Sequence, residues 1–509
     1  MREFVRIQII ITAAVLFARS LAADDWPYYQ HDSSHTGNSS AVLNPQALSL
    51  SWTAPSGHVG YSTPLIVGNT IYAMANQGGG TSLTTVSAFD LSTGAINWSY
   101  TGDFLFPSQP GVGGGFVTFV GPTSSSSALY VLDAITGALL YTVPIFQGPT
   151  SMMPTVVQDT ISGSVTAFVA DANNLSAVSL GPVSGSVLWT QNGNFGGFSM
   201  PTVVGSSIVV VGPCQYYAFD QATGEVDHFW SGACSGGGGT TVAYDAGRQQ
   251  LYVSAYYNDV TPTLSAYQYT DNDHITLLWQ RTGAGVGEGY GSVAIGPTGN
   301  VYSAGTSVLW EIDPATGATH RSLSGSFGYG VTPALTNNVL WIIGETGVLA
   351  YDLVTLQLLR TFNGAGGSTA YSGPGAFADG YVALDYGLSR SFAVYTPPSP
   401  QVTVAVAPTQ IREGHTAVYT VTASIPAPQS TTVNYAMSGT ATLNGDYRLS
   451  GTPGQMTILA GQSTGKVTLT SRRDTAAEGT ETAIMALQPG SGYTVGNPSE
   501  ATVSILDTP

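Results

Sequence analysis

One motif recurs along this chain. Ala88 to Trp98 reads AFDLSTGAINW, and variants follow: YVLDAITGALLY from Tyr130, YAFDQATGEVDHFW from Tyr217, WEIDPATGATH from Trp310 and LAYDLVTLQLL from Leu349. Each sets an acidic residue and a Thr-Gly or Thr-Leu pair between two runs rich in β-branched and aromatic residues. That order writes a strand, a tight turn and a second strand. Measured on the turn glycine, copies fall at 94, 137, 185, 224 and 317, and a degenerate copy, YTDNDHITLLW, ends at Trp279. A period near forty residues with about four strands per unit is the writing of a β-propeller. Helical solenoids share such periods but need amphipathic helices, which this sequence lacks.

Each unit also opens alike: STPLIVGNTIYAMA from Ser62, MPTVVQDTISGSVTAFVA from Met153, MPTVVGSSIVVVG from Met200, SVAIGPTGNVYSAG from Ser292 and TPALTNNVLWIIG from Thr332. A small residue, often with Pro, starts an inner strand, and a polar turn leads to an apolar second strand. With Gln109 and Thr240 these starts make seven. The segment from Gly373 is an eighth unit lacking its last strand. The missing strand is expected at the other end of the chain, in ALSLSWTAP (Ala47 to Pro55), where an outer Trp has no preceding hairpin. Pairing the two ends would remove the free edges of an open array. The expected fold class is all-β, an eight-bladed propeller followed by a smaller sandwich.

The AxDxxTGxxxW signature, with WPYYQHDSSHTG from Trp26 leading it, resembles the pyrroloquinoline-quinone-type propeller repeat over about residues 26–396. That family includes quinoprotein alcohol dehydrogenases and non-catalytic propellers such as outer-membrane assembly scaffolds. The resemblance implies that the Trp and the Asp-x-x-Thr-Gly turn pack neighbouring blades together. Catalytic members carry adjacent cysteines over the quinone, acid and amide ligands for calcium, and an Asp base. Here the two cysteines stand apart and no matching ligand set is found, so pyrroloquinoline quinone is not expected and the propeller is read as non-catalytic. The sequence contains no HExxH, GxSxG or Walker loop, and SGGGGT at Ser235 lacks the Lys and helix of a phosphate cradle. His31 and His35 lie four apart in a segment without helical character, so no metal pair is expected there. His228, His274 and His320 are scattered over different units and are read as surface residues.

Composition bounds the partners. Residues 1–23 pair a basic start with the apolar run IQIIITAAVLFA and a small-residue boundary, which reads as a secretory signal peptide cut after Ala22 or Ala23. The run is too short to span a bilayer, no Cys stands at the boundary to take a lipid, and no later stretch reads as a membrane helix. A secreted, periplasmic or cell-surface location is expected. The leader holds three Arg and one Glu, so its removal takes the formal charge from −17 to −19. With Lys466 the one lysine, a phosphate-binding surface and a nucleic-acid partner are not expected. In an exported chain Cys214 and Cys234 predict a disulfide, worth about 3 kcal/mol on the chain-entropy model; a reactive thiol is the other option.

The loops before the inner strands read GHVGYSTP, NFGGFSMP, GEGYGS, GSFGYGVTP and GSTAYSGP. In a propeller these converge at one mouth of the central channel. They would gather His58, Tyr61, Phe198, Glu288, Tyr290, Tyr329 and Tyr371 into a ring suited to a sugar, a flat cofactor or a peptide. The alternative is that these rings plug the channel.

After TPPSPQ the pattern changes to alternating apolar and polar residues without Trp, marking residues 397–401 as a linker and 402–509 as a second domain. REG, LNGDY, RDTAAEGTET and ILD resemble, in order, the Calx-β domain, an immunoglobulin-like sandwich. The resemblance implies that Glu413, Asp446, Asp474, Glu478, Glu481 and Asp507 converge at one end. Six clustered carboxylates repel one another without a cation, and Ca2+ takes six to eight oxygens. The expectation is an exported monomeric binding or adhesion protein. A propeller platform would meet a carbohydrate or a surface protein, and a calcium-binding sandwich would follow it. The competing reading is an enzyme, either a quinoprotein oxidoreductase or a polymer-acting hydrolase with Glu288 as its carboxylate.

Overall fold

The computed structural model describes residues 24–507 apart from 56–59, 77–82, 105–107, 123–126, 146–151, 196–198, 213–214, 232–239, 258–259, 271–273, 284–285, 287–290, 329, 364–373, 379, 386–390, 428–429, 460, 474–476 and 478. The described residues form strands and turns with no helix. The chain from Ser49 to Thr396 makes a succession of antiparallel sheets, seven of four strands and one with a short fifth. Gly111–Gly113, Phe116–Pro122, Ser127–Asp133 and Leu139–Pro144 form one such sheet, laid side by side in chain order.

First strands of neighbouring sheets touch. Leu65–Val67 meets Gly375–Ala378, Gly111–Gly113 meets Thr155–Gln158, and Thr202–Val204, Ala243–Asp245, Ala294–Ile295 and Ala334–Leu335 follow one another in series. This is a propeller arrangement. Burial follows from it: Val339–Gly344, a second strand, is buried throughout because sheets cover both its faces. Ile96–Asp103, a fourth strand, is mostly exposed at the rim. The last sheet borrows its fourth strand from the other end of the chain. Ser49–Thr53 pairs antiparallel with Phe392–Thr396, Ser49 opposite Thr396 and Trp52 opposite Val394.

The recurring motif is an outer hairpin whose acid organises its own turn. Asp90 Oδ1 accepts the N–H groups of Ser92 (3.1 Å) and Thr93 (2.8 Å) and the Thr93 hydroxyl (2.8 Å). Gly94, at φ +73°, closes the turn in the left-handed region. Asp133, Asp220, Asp313 and Asp352 repeat this arrangement.

A β-bulge then interrupts the pairing of third and fourth strands, as between Ala88 and Phe89, and re-aims the next side chain onto the following sheet. There Trp98 donates its indole N–H to Ala134 O at 3.0 Å and lies over Gly137. Trp52, Trp189 and Trp279 do the same to Leu91, Gln221 and Pro314. A Cβ on Gly94 would come within 2.5 Å of Trp52, so the glycine serves both the turn and the ring packed on it.

Other residues hold this place elsewhere. Tyr141 donates to Gly181 O at 2.7 Å, Arg321 to the carbonyls of Leu353 and Val354, and Arg360 to Pro45 and Leu48. Arg321 also bonds the buried Glu311 in its own sheet. In the fourth sheet the place falls to His228, whose ring meets Tyr269 of the next sheet edge-on at 5.6 Å. This histidine, expected on the surface, is packed between sheets, and Trp230 of the motif stacks instead on Tyr216.

From Gln401 onward two five-stranded sheets enclose a separate core that includes Val404, Tyr419, Val433, Leu469, Met485 and Val503. One sheet runs Tyr447–Leu449, Thr464–Ser471, Thr416–Ala423, Gln401–Ala407, Thr494–Val495. The other runs Gln410–Arg412, Glu500–Leu506, Glu481–Leu487, Thr431–Ser438, Gln455–Ile458.

Candidate functional site

The leading segment WPYYQHDSSHTG crosses the centre of the sheet array. Adjacent residues reach far-apart sheets: the Tyr28 hydroxyl donates to Val156 O (2.5 Å), and the Tyr29 hydroxyl meets Thr332 Oγ1 (2.8 Å). Three sheets lie between those partners in chain order. Gln30 Nε2 donates to Val293 O, and the His35 ring lies between two carbonyls, Nδ1 2.5 Å from Tyr29 O and Nε2 3.2 Å from Pro201 O.

The backbone then visits successive first strands. Val203 N donates to Ser33 O, Tyr244 N to Ser34 O, Ile295 N to Thr36 O and Leu335 N to Gly37 O, before Ser39 N donates to Leu335 O. The segment is a strap, threaded sheet by sheet toward the strand Ser49–Thr53. Tyr29, Gln30, His35 and Ser39 are all buried in it.

Electrostatics hold the start of the strap. His31 Nε2 lies 3.1 Å from Asp24 Oδ1, and its Nδ1 lies 3.5 Å from Asp32 Oδ2. Burial disfavours the imidazolium, but the two carboxylates outweigh it and hold His31 up at about 9. Burial likewise works against ionisation of Asp32, yet the His31 ring and the Thr36 hydroxyl and N–H hold it below the usual carboxylate range. Burial pushes His35 down and Tyr28 and Tyr29 up to about 12. Asp24 also accepts the Ser40 N–H, which ties both ends of the strap together.

Of the expected mouth ring, His58, Phe198, Glu288, Tyr290, Tyr329 and Tyr371 lie outside the described residues. Tyr61 is described only as part of the strand Gly60–Tyr61. Cys214 and Cys234 also lie outside them, as does the leader 1–23.

In the second domain Asp474 and Glu478 lie outside the described residues, and the other four acids come from strand ends at one end of the sheets. Glu413 N donates to Leu506 O (3.1 Å), beside Asp507. Glu481 begins its strand opposite Ile505, and Arg472 N donates to Asp446 O (2.7 Å). Asp446 Oδ2 accepts the N–H and hydroxyl of Thr442, whereas Asp507 Oδ1 is buried with no hydrogen-bond partner among the described residues. Among the described residues no three His, Cys, Asp or Glu side chains are grouped as a metal set. No described helix could cross a membrane.

Residues 82–323 match the family model described as outer membrane protein assembly factor BamB. The fold is similar to that of a europium-containing methanol dehydrogenase (13% identity, TM-score 0.52), over 73% of this chain and 98% of that one. It is also similar to BamB from Moraxella catarrhalis (14% identity, TM-score 0.50), over 69% of this chain and 97% of that one. No curated protein matches the chain. Residues 82–323 carry the pyrroloquinoline-quinone-like propeller repeat, and the fold is shared by a dehydrogenase and an assembly factor. At these identities the likeness carries the fold and no activity.

Proposed function

We propose that this is an exported, non-catalytic binding or adhesion protein. Residues 1–23 are its signal peptide, 24–396 one closed ring of eight blades and 397–401 a linker. Residues 402–509 are an immunoglobulin-like Calx-β sandwich binding Ca2+. One observation carries the reading: the strap crosses the middle of the ring and commits the half-buried Tyr28 and the buried Tyr29, Gln30 and His35 to bonds with blades. A centre so filled supports a rigid platform better than a passage for a polymer. The BamB resemblance supports a protein partner, and the aromatic loops before the inner strands support a carbohydrate.

The carboxylates Glu413, Asp446, Asp474, Glu478, Glu481 and Asp507 are proposed as the calcium ligands, and Cys214 with Cys234 as a disulfide. The chain elements that carry Glu413, Asp446, Glu481 and Asp507 run to the same end of the sandwich, and the unpartnered Asp507 oxygen supports a cation there. The competing reading is a quinone-dependent oxidoreductase, favoured only by likeness of fold to the methanol dehydrogenase.

The test is binding of the mature chain to immobilised envelope polysaccharides and envelope proteins, beside a Tyr61→Ala, Tyr329→Ala variant. Saturable binding that the variant loses is expected. Absence of saturable binding to either class would overturn the platform reading.

A further inference from the structure

We infer that the second domain holds a binding site for a carboxylate-bearing ligand, centred on Lys466 and separate from the calcium-site carboxylates. A cavity of about 290 Å³ opens where the two sheets diverge. One wall is the cross-strand pair Thr432 and Thr457 with Gln455, and the other is Lys466 and Val467. The turn Ser450 to Thr452 forms the rim. The rim is hydrogen-bonded to the strand that carries Lys466. Ser450 N donates to Thr468 O and Thr468 N to Ser450 Oγ, each at 2.8 Å. Gly465 leaves no room for a Cβ because the Met456 methyl lies there, so Met456 forms an apolar floor beside Val467.

The lining chemistry selects the ligand. It offers several hydroxyl or amide side chains, a thioether floor, one ammonium and no carboxylate. Lys466 is the one lysine of a chain with formal charge −17. The overall field repels anions, so an anion held here depends on this ammonium. Hydroxyls and an amide that both donate and accept suit a polyol body, and the volume is at the small end of ligand sites, about one sugar ring. The shared chemistry is a carboxylate on a small polar body, from a sugar acid or from a free peptide C-terminus.

A single lysine makes the test direct. Reductive methylation of the full mature chain with carbon-13 formaldehyde keeps the charge and labels one side-chain amine beside the α-amine. D-glucuronate, glucose, acetate and a short peptide with a free C-terminus are then titrated against that side-chain resonance, and calorimetry follows unmodified wild type, Lys466→Gln and Lys466→Arg. The expected result is a saturable shift with glucuronate or the peptide, at least tenfold tighter than with glucose or acetate. Whichever saturates identifies the source of the carboxylate. Lys466→Gln loses tenfold or more in affinity, and Lys466→Arg keeps part of it. Lys466 is exposed, so both variants keep the wild-type unfolding midpoint. No saturable shift with any probe, or wild-type affinity in Lys466→Gln, would overturn the site.

Discussion

Arg360 donates to the carbonyl of Pro45 at 2.9 Å across 315 residues of sequence. It thereby treats the turn before the first strand as Trp98 treats the turn at Asp133. The guanidinium also bonds Leu48 O and lies over the Phe362 ring, 4.3 Å from its centroid. The strand that completes the last sheet is thus held by side chains as well as by backbone pairing. Arg360→Met keeps most of the stem and removes both charged hydrogen bonds. The expected loss is about 2–4 kcal/mol, read from urea unfolding with intrinsic fluorescence. An unchanged midpoint would mean that backbone pairing alone closes the sheet.

Leu356 sits where other copies of the motif have Gly, at φ +55°. A left-handed conformation costs a branched residue roughly 1–2 kcal/mol, and the half-buried side chain recovers part of that. Leu356→Gly is expected to stabilise the protein by about 0.5–1 kcal/mol, seen as a higher unfolding midpoint. Destabilisation would show that the leucine packs more tightly than its exposure indicates.

The strap should respond to pH on both sides. His31 is held at about 9 against an ordinary value near 6.5. Its contribution is fully present below about pH 6.5 and is lost as pH rises through 9, a change on the order of 3 kcal/mol. Asp24 and Asp32 are depressed, so their contribution is present above about pH 4 and is lost as pH falls. Amide exchange over residues 28–39 is expected to quicken between pH 6.5 and 9.5 beyond the intrinsic base catalysis. His31→Gln should flatten that rise, and an equal rise in the variant would remove His31 from the account.

Calcium at one hundred times its Kd is expected to add about 2.7 kcal/mol to the stability of the sandwich. Asp507→Asn should lose most of that gain while leaving calcium-free unfolding nearly unchanged, measured by scanning calorimetry of the full chain with and without chelator. A wild-type response in the variant would take Asp507 out of the site.

The hairpins and the end-to-end pairing were legible because period-2 patterning and turn chemistry are local. ALSLSWTAP could be matched to the unit that lacked a strand. The inter-sheet packing was legible where Trp marked it, at Trp98, Trp189 and Trp279, and hidden where Tyr141, His228, Arg321 or Arg360 stood in. A bulge aims whatever residue follows it, so side-chain identity is a weak guide to that position. The strap was read only as part of a signature. Its bonds are made chiefly by backbone carbonyls to distant strands, and such long-range pairing leaves no periodicity. The cavity at Lys466 was equally silent, since Thr432, Ser450, Thr457 and Lys466 come from four separate stretches.

The central claim is that this propeller is a filled platform and not a quinone enzyme. Equilibrium dialysis of the mature chain against pyrroloquinoline quinone, with and without calcium, tests it most directly, alongside dye reduction with simple alcohols and sugars. No saturable quinone binding and no turnover is the predicted result. Stoichiometric quinone binding with substrate-dependent dye reduction would contradict the account and make the propeller an oxidoreductase.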